Sequence, residues 1–495
     1  MHLRLTALAF CAVVAFAPPV FSADPVTDNT IIEKASDSPP QVTEARGKAD
    51  SAYQQGNYAK VVELATWLID NHPGDNVHVA YHLRASAKIE QGRRAGSGKQ
   101  VREGIADARQ AIILAGNEHP WVHIPYVYGL SSLAEIERRK EHADLAIKVV
   151  TPVLSFPETK NFTADHRANL YYQRGLAYAS RGDLKLAAND QAEAIRLSPQ
   201  HISAHLKRAE ALTAQGLVKD ALVAYDKAVE AFPNVLVVFN DRGKLRRTAG
   251  DLDGAISDFE RCLQLDQKFA VGYVNRGMCL AESNNPQAAE GDFSDALKLK
   301  PDPATSAFAL RLRATARLAQ GKAPEAITDL DTLIKSNPRD ASAYEDRGFA
   351  QYFQKKFSAA LADFTKAVEL NPQAGHLVPW RALALARSGM TAEARALVEA
   401  TLAAKTPPTG WIAKVCAYLL DQATEQELLD TAAAAPSARE KSRLACEARY
   451  FAGQKHLVHE DADKAGELFR EIIASKEYAL SAYRGACYEL GQFGN

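Results

Sequence analysis

An Arg-Gly or Arg-Ala dipeptide returns through the middle of this 495-residue chain at an almost fixed interval. It stands at Arg174-Gly175, Arg208-Ala209, Arg242-Gly243, Arg276-Gly277, Arg313-Ala314, Arg347-Gly348 and Arg381-Ala382, spaced by 34, 34, 34, 37, 34 and 34 residues. Prolines 199, 233, 301, 338 and 372 keep the same clock. A period of this length marks one supersecondary unit stacked many times, with a core shared between neighbours. It overrides the prior of about three separate domains that a chain of this size would otherwise carry.

Within one period the pattern is helical. Tyr171, Gly175 and Tyr178 share one face at i, i+4, i+7; Arg181-Gly182-Asp183 makes a turn; Ala187, Gln191 and Ala194 share a second face; Pro199 stops it. Two amphipathic helices and a turn form a helical hairpin, so the fold class expected is all-α, a solenoid of stacked hairpins. Small residues recur where second helices approach the first, at Ala187, Ala221, Ala255, Ala289, Ala326, Ala360 and Ala394.

Tyr171, Gly175, Tyr178, Ala187, Ala194 and Pro199, with their equivalents in each unit, resemble the tetratricopeptide repeat family. The resemblance implies a right-handed superhelix whose groove holds a peptide or partner helix. The expected organisation is a signal peptide over 1–22, a disordered leader over 23–43, degenerate units over 44–165, seven regular units over 166–406 and a C-terminal helical cap over 407–495. The tail, with Cys446-Glu447-Ala448-Arg449-Tyr450-Phe451-Ala452-Gly453, Leu468-Phe469 and Glu489-Leu490, looks similar to the C-terminal end of bacterial envelope tetratricopeptide adaptors. Those adaptors are lipoproteins that dock cell-wall hydrolases. No lipobox stands around Cys11 here, since Phe10 precedes it.

His2 and Arg4, then the apolar run from Leu5 to Ala17, read as an export signal with a cut near Ser22-Ala23. A periplasmic or secreted location follows. No later run is long and apolar enough for a membrane span. With 59 basic and 60 acidic residues the chain lacks the basic excess that a phosphate backbone requires, so nucleic acid is not an expected partner. The five cysteines after the leader, Cys262, Cys279, Cys416, Cys446 and Cys487, lie on helix faces and read as small buried thiols.

Asp190, Asp258, Asp292, Asp329 and Asp363 each follow a repeat arginine by 16 residues. In a hairpin whose turn is centred near unit position 15, position 7 faces position 23, which is the same offset. The pairs expected are Arg174 with Asp190, Arg242 with Asp258, Arg276 with Asp292, Arg313 with Asp329 and Arg347 with Asp363, each a guanidinium fork on a carboxylate between packed helices.

Other constellations carry less. His78 and His82, and His456 with His459, have metal-like spacing but no third ligand nearby, and read as surface histidines. Gly96-Ser97-Gly98-Lys99 lacks the first glycine and the strand of a phosphate loop, and reads as a flexible insertion over Gly92–Gly98. No hydrolase or metalloprotease motif is present. Neither catalysis nor a metal or other cofactor is expected. First-helix positions 2, 5, 9 and 12 lie away from the core and would line a groove. Asn240, Lys244 and Arg247 form a basic spot there, with Arg311 further along, and Phe349 and Tyr352 form an aromatic patch near Trp380. The function expected is an exported scaffold that binds a protein or peptide in this groove, as an adaptor in a bacterial envelope. The alternative is a structural solenoid that self-associates.

Overall fold

The computed structural model describes residues 39–74, 76–116, 119–159, 162–404, 407–476 and 481–491. The export signal expected over 1–22 lies outside them. Every long element among the described residues is an α-helix, and the chain divides into two compact units at Asp251/Leu252.

The first unit holds α1 (Pro40–Gln54), α2 (Tyr58–Asn71), α3 (Val77–Arg94), α4 (Gly98–Ala115), α5 (His123–Glu137), α6 (Lys140–Val153), α7 (Ala164–Arg181), α8 (Leu184–Leu197), α9 (Ile202–Ala214), α10 (Val218–Ala231) and α11 (Leu236–Ala249). Successive helices pack in chain order, and first helices also touch across hairpins: α5 lies against both α3 and α7. Local chemistry sets the boundaries. Asn57 and Ser97 accept from the backbone of Lys60 and Gln100, and Thr163 with His166 forms a reciprocal capping box. Gly182 and Gly250 close their helices in the left-handed region, where a Cβ is penalised.

Three features depart from the sequence reading. Helix α1 opens at Pro40, inside the stretch expected as disordered leader; proline has no N–H to lose at a first helical position. The stretch Gly92–Gly98 is not a flexible insertion. It is the end of α3, a three-residue turn and the start of α4, and both helices run 18 residues against 13 or 14 for most second helices of the regular repeats. His78 and His82 are not at the surface, with 6% and 2% exposure. They pack with His119, Trp121 and His166: His78 stacks on His119 at 4.7 Å, and His82 meets the Trp121 edge at 4.8 Å. Burial drives the His78 imidazole down to about 4 and His82 to about 3, and the neighbouring histidines add to the effect.

The second unit holds α12 (Leu252–Leu265), α13 (Ala270–Glu282), α14 (Pro286–Lys298), α15 (Pro303–Ala319), α16 (Ala323–Ser336), α17 (Ala341–Phe353), α18 (Phe357–Leu370), α19 (Val378–Arg387) and α20 (Thr391–Leu402). Five helices of the tail follow: α21 (Gly410–Leu419), α22 (Glu425–Ala433), α23 (Ala438–Val458), α24 (Ala462–Ala474) and α25 (Ser481–Leu490). Close helix approach explains the repeat glycines. A Cβ on Gly277 would meet the Phe293 ring at 2.7 Å, and one on Gly348 the Phe364 ring at 2.6 Å. One apolar cluster joins the regular hairpins to the tail, from Ala314 through Phe364 and Trp380 to Tyr450, Phe469 and Ala486. The five cysteines are buried.

Candidate functional site

Four of the five expected arginine–aspartate pairs are direct contacts within their hairpins. Arg174 donates Nε and Nη2 to Asp190 at 2.7 and 2.8 Å. Arg276 holds Asp292 at 2.8 and 2.7 Å, Arg313 holds Asp329 at 2.9 and 2.6 Å, and Arg347 holds Asp363 at 2.7 Å through both atoms. Arg242 and Asp258 belong to different units; within its own unit Arg242 donates to Asp226 at 2.9 Å. A pair that the sequence reading missed is Arg84 with Asp107, bidentate at 2.9 and 2.8 Å. Its offset is 23 rather than 16. The seven extra residues are about two helical turns, one for each of the lengthened α3 and α4, so the geometry is kept while the spacing changes.

In the second unit one pair grows into a network. Asp329 also accepts from Arg317 Nη1 at 2.8 Å, and Arg317 Nε donates to Glu290 at 2.8 Å. Burial pushes the Glu290 carboxyl up, but hydrogen bonds from Lys322, Arg317 and Gln320 outweigh it and hold the group at about 2.

Arg381 has no such aspartate, and its Nε is buried without a hydrogen-bond partner; beyond the paired arginines the first-helix sides of the two units remain, and they differ. In the first unit this side of α9 and α11 carries Lys207 and Glu210, paired at 2.7 Å, then Asp241 and Lys244, paired at 2.6 Å. Glu135 of α5 adds a third carboxylate to the field at Lys207. The Lys207, Glu210 and Lys244 side chains keep 42%, 48% and 49% of their exposure. Asn240 donates to Asp241 at 3.2 Å, and Arg247 is half-buried. The basic spot expected from Asn240, Lys244 and Arg247 is therefore a mixed-charge strip, because Asp241 sits among them.

In the second unit the same side is already filled. Phe349 and Tyr352 do not line an open groove, having 9% and 1% exposure. Trp380 stands edge-on to both, at 4.8 and 5.5 Å, and packs in turn on Tyr450 and Phe451 of α23 at 5.2 and 5.5 Å. Tyr352 Oη donates to Gln454 at 2.9 Å, and Arg387 Nη1 reaches both Gln454 and Glu489, at 2.5 and 3.1 Å. Arg311 is likewise not a free cation: Asp340 and Asp346 hold it at 2.7 and 3.2 Å. Nothing local to Phe349 and Tyr352 says that the tail, about a hundred residues on, folds back over them. The apolar character of Tyr450-Phe451 and Phe469 is the only signal of it in the sequence.

Among the described residues, no group of three or more His, Cys, Asp or Glu is placed to hold a metal, and no helix is long and apolar enough to cross a membrane.

The sequence profile of the tetratricopeptide repeat matches residues 168–235, 240–304, 311–374 and 346–408. Among curated relatives, DnaJ homolog subfamily C member 7 of Homo sapiens is 26% identical over 42% of this chain and 44% of its own length. The Schizosaccharomyces pombe homologue of that protein is 22% identical over 61% and 65%. The mitochondrial import receptor subunit TOM70 of Rattus norvegicus is 26% identical over 41% and 34%. The matched stretch thus spans less than two thirds of each of these relatives. Among solved structures, a tetratricopeptide repeat protein from Parabacteroides merdae aligns over 52% of this chain and 98% of its own, with 19% identity and a TM-score of 0.38.

Proposed function

Residues 168–408 belong to the tetratricopeptide repeat family, and from that premise we propose that this protein is an exported scaffold that captures a peptide or helix of mixed charge on α9 and α11, as an adaptor in a bacterial envelope. The coarse part of this reading, a protein-interaction scaffold, follows from the repeats. The envelope assignment rests on the leader, from the Leu5–Ala17 apolar run to the Ser22-Ala23 boundary.

One observation carries the choice of site. Lys207 and Lys244 make their direct ion pairs with carboxylates three residues away on their own helices, and remain about half exposed. Such surface pairs are worth roughly 0–1 kcal/mol, so a ligand can replace them at little cost. The polar groups on the matching side of the second unit are committed to the tail. A rigid helical face with exchangeable charges binds at a low ordering cost.

The test is affinity capture from envelope extract with the mature chain, then the Kd of the captured partner. Lys207→Glu with Lys244→Glu should weaken binding about tenfold or more and flatten its salt dependence. Lys185→Glu with Lys219→Glu, at exposed positions of α8 and α10, should change neither. Equal losses from both double variants would remove α9 and α11 as the site. Concentration-dependent self-assembly without any partner would favour the structural alternative, and N-terminal sequencing that returned Met1 would remove the export step.

A further inference from the structure

Two helices of the tail enter the core by different means. Helix α23 is fixed by a closed aromatic cluster: Tyr450 is 0% exposed, and it meets Trp380 at 5.2 Å and Phe469 at 5.8 Å. Helix α25 is held differently. Its Glu489 is clamped by Arg387 at 3.1 Å, by Gln454 at 2.9 Å and by Lys355 at 3.5 Å. Its Tyr488 ring stacks on Phe353 at 5.3 Å. Its Arg484, partly buried, faces the Asp346 carboxylate, which Arg311 also approaches. Packing beneath it is incomplete. A cavity of about 20 Å³ remains between Leu318 and Ala319 of α15 and Tyr483, Arg484 and Cys487 of α25, enough for about one water. The Tyr450 hydroxyl, which α25 covers at Gly485, is buried with no hydrogen-bond partner.

Helix α25 has 10 residues, too few to persist alone in water. Its hold combines a short apolar strip, Ala482, Tyr483, Ala486 and Cys487, with a charged clamp and one ring stack. Arg387, Lys355 and Asp346 would be satisfied equally by another helix carrying the same groups. We propose that the first-helix side of α15, α17 and α19 is an exchangeable helix-docking site whose resident is α25. The external ligand it accepts is an amphipathic helix presenting arginine, tyrosine and glutamate at i, i+4 and i+5. The resident keeps the site closed because a tethered occupant acts at millimolar effective concentration. A partner opens it by offering a better copy of that face. This site lies in the second unit, so it stands or falls independently of the strip on α9 and α11.

The test uses the full chain. Amide hydrogen exchange should show α25 opening at least about 100-fold more often than α23, as a separate low-stability element. A labelled peptide of residues 477–491 should not bind the wild-type chain. It should bind the Arg484→Glu/Glu489→Lys chain, in which the resident no longer fits, and a peptide with those two reversals should not. Equal protection of α25 and α23 in the wild type would overturn the proposal. So would failure of the wild-type peptide to bind a variant whose α23 keeps its protection. Should the variant lose α23 as well, the two helices form one cooperative core and the proposal is wrong.

Discussion

Asp329→Ala is the sharpest test of the arginine–aspartate frame. Asp329 lies on α16 with 4% of its side chain exposed, and it accepts three charge-assisted hydrogen bonds: from Arg313 at 2.9 and 2.6 Å and from Arg317 at 2.8 Å. Both arginines are themselves 17–18% exposed. Truncation leaves two guanidiniums beside each other with water largely excluded. Breaking one buried pair costs about 3–5 kcal/mol; the second cation places this site in the upper half of that range, near 4 kcal/mol. The control is Asp295→Ala, whose Lys298 partner is 75% exposed, for an expected loss of about 0–1 kcal/mol. Repeat arrays do not melt in one step, so the assay is the opening free energy of α15 and α16 amides by hydrogen exchange. Asp329→Ala should raise their opening by about three decades, at 1.4 kcal/mol per decade, and Asp295→Ala by less than one. A further chain with Arg313→Met and Asp329→Leu should recover most of the loss, because Arg317 keeps Glu290 and the orphaned charge is that of Arg313. Equal effects of Asp329→Ala and Asp295→Ala would refute the reasoning.

Two further outcomes follow from the packing. Burial holds His82 at about 3 and His201 at about 4 when folded, against an ordinary value of 6.5. Both folded values are depressed, so the unfolded chain binds more protons below pH 6.5. The first unit should be indifferent to pH above 6.5 and lose about 2 kcal/mol per histidine by pH 5. Melting followed by fluorescence, with Trp67 and Trp121 as the reporters in that unit, should show this slope, and His82→Leu/His201→Leu should reduce it while His78 keeps its share; an unchanged slope would rule out His82 and His201 as its source. Gly348→Ala drives a methyl to 2.6 Å from the Phe364 ring, and should cost about 1–3 kcal/mol through overpacking. Gly291→Ala, with open space at its Cβ, should be neutral or slightly stabilising in the same denaturation assay.

The fold was legible because its signal is local and repeated. Each hairpin is specified within 34 residues by a glycine or alanine where helices approach, a turn and a stop, and seven copies average out the noise of any one. An offset of 16 between arginine and aspartate is equally local, since both lie in one hairpin. Legibility failed where the same geometry was reached by another spacing. Arg84 and Asp107 meet across helices one turn longer, and a search for the 16-residue offset passes over them. His78 and His82 were misjudged for a related reason. Their i, i+4 spacing says which face they share, but only the approach of Trp121 and His166 decides that this face is inside.

The candidate site depended on contacts that no period can encode. Tyr352 is joined to Gln454 across 102 residues, as Arg387 is to Glu489. Pattern reading identifies which first-helix positions are spare, in the sense that the hairpin core does not use them. It does not tell a surface left spare for a partner from one reserved for the chain's own end. The composition of the spare positions does discriminate once the tail is included. Where they are aromatic, at Phe349 and Tyr352, burial is worth about 1.5–3 kcal/mol per side chain, so a tail tethered at high effective concentration occupies them first. Where they are charged, at Lys207, Glu210 and Lys244, burial would cost desolvation without a fixed counterpart, so these side chains keep nearly half of their exposure. A binding face that survives folding is therefore the polar one, and aromatic richness in a repeat followed by an apolar tail argues for self-occupation.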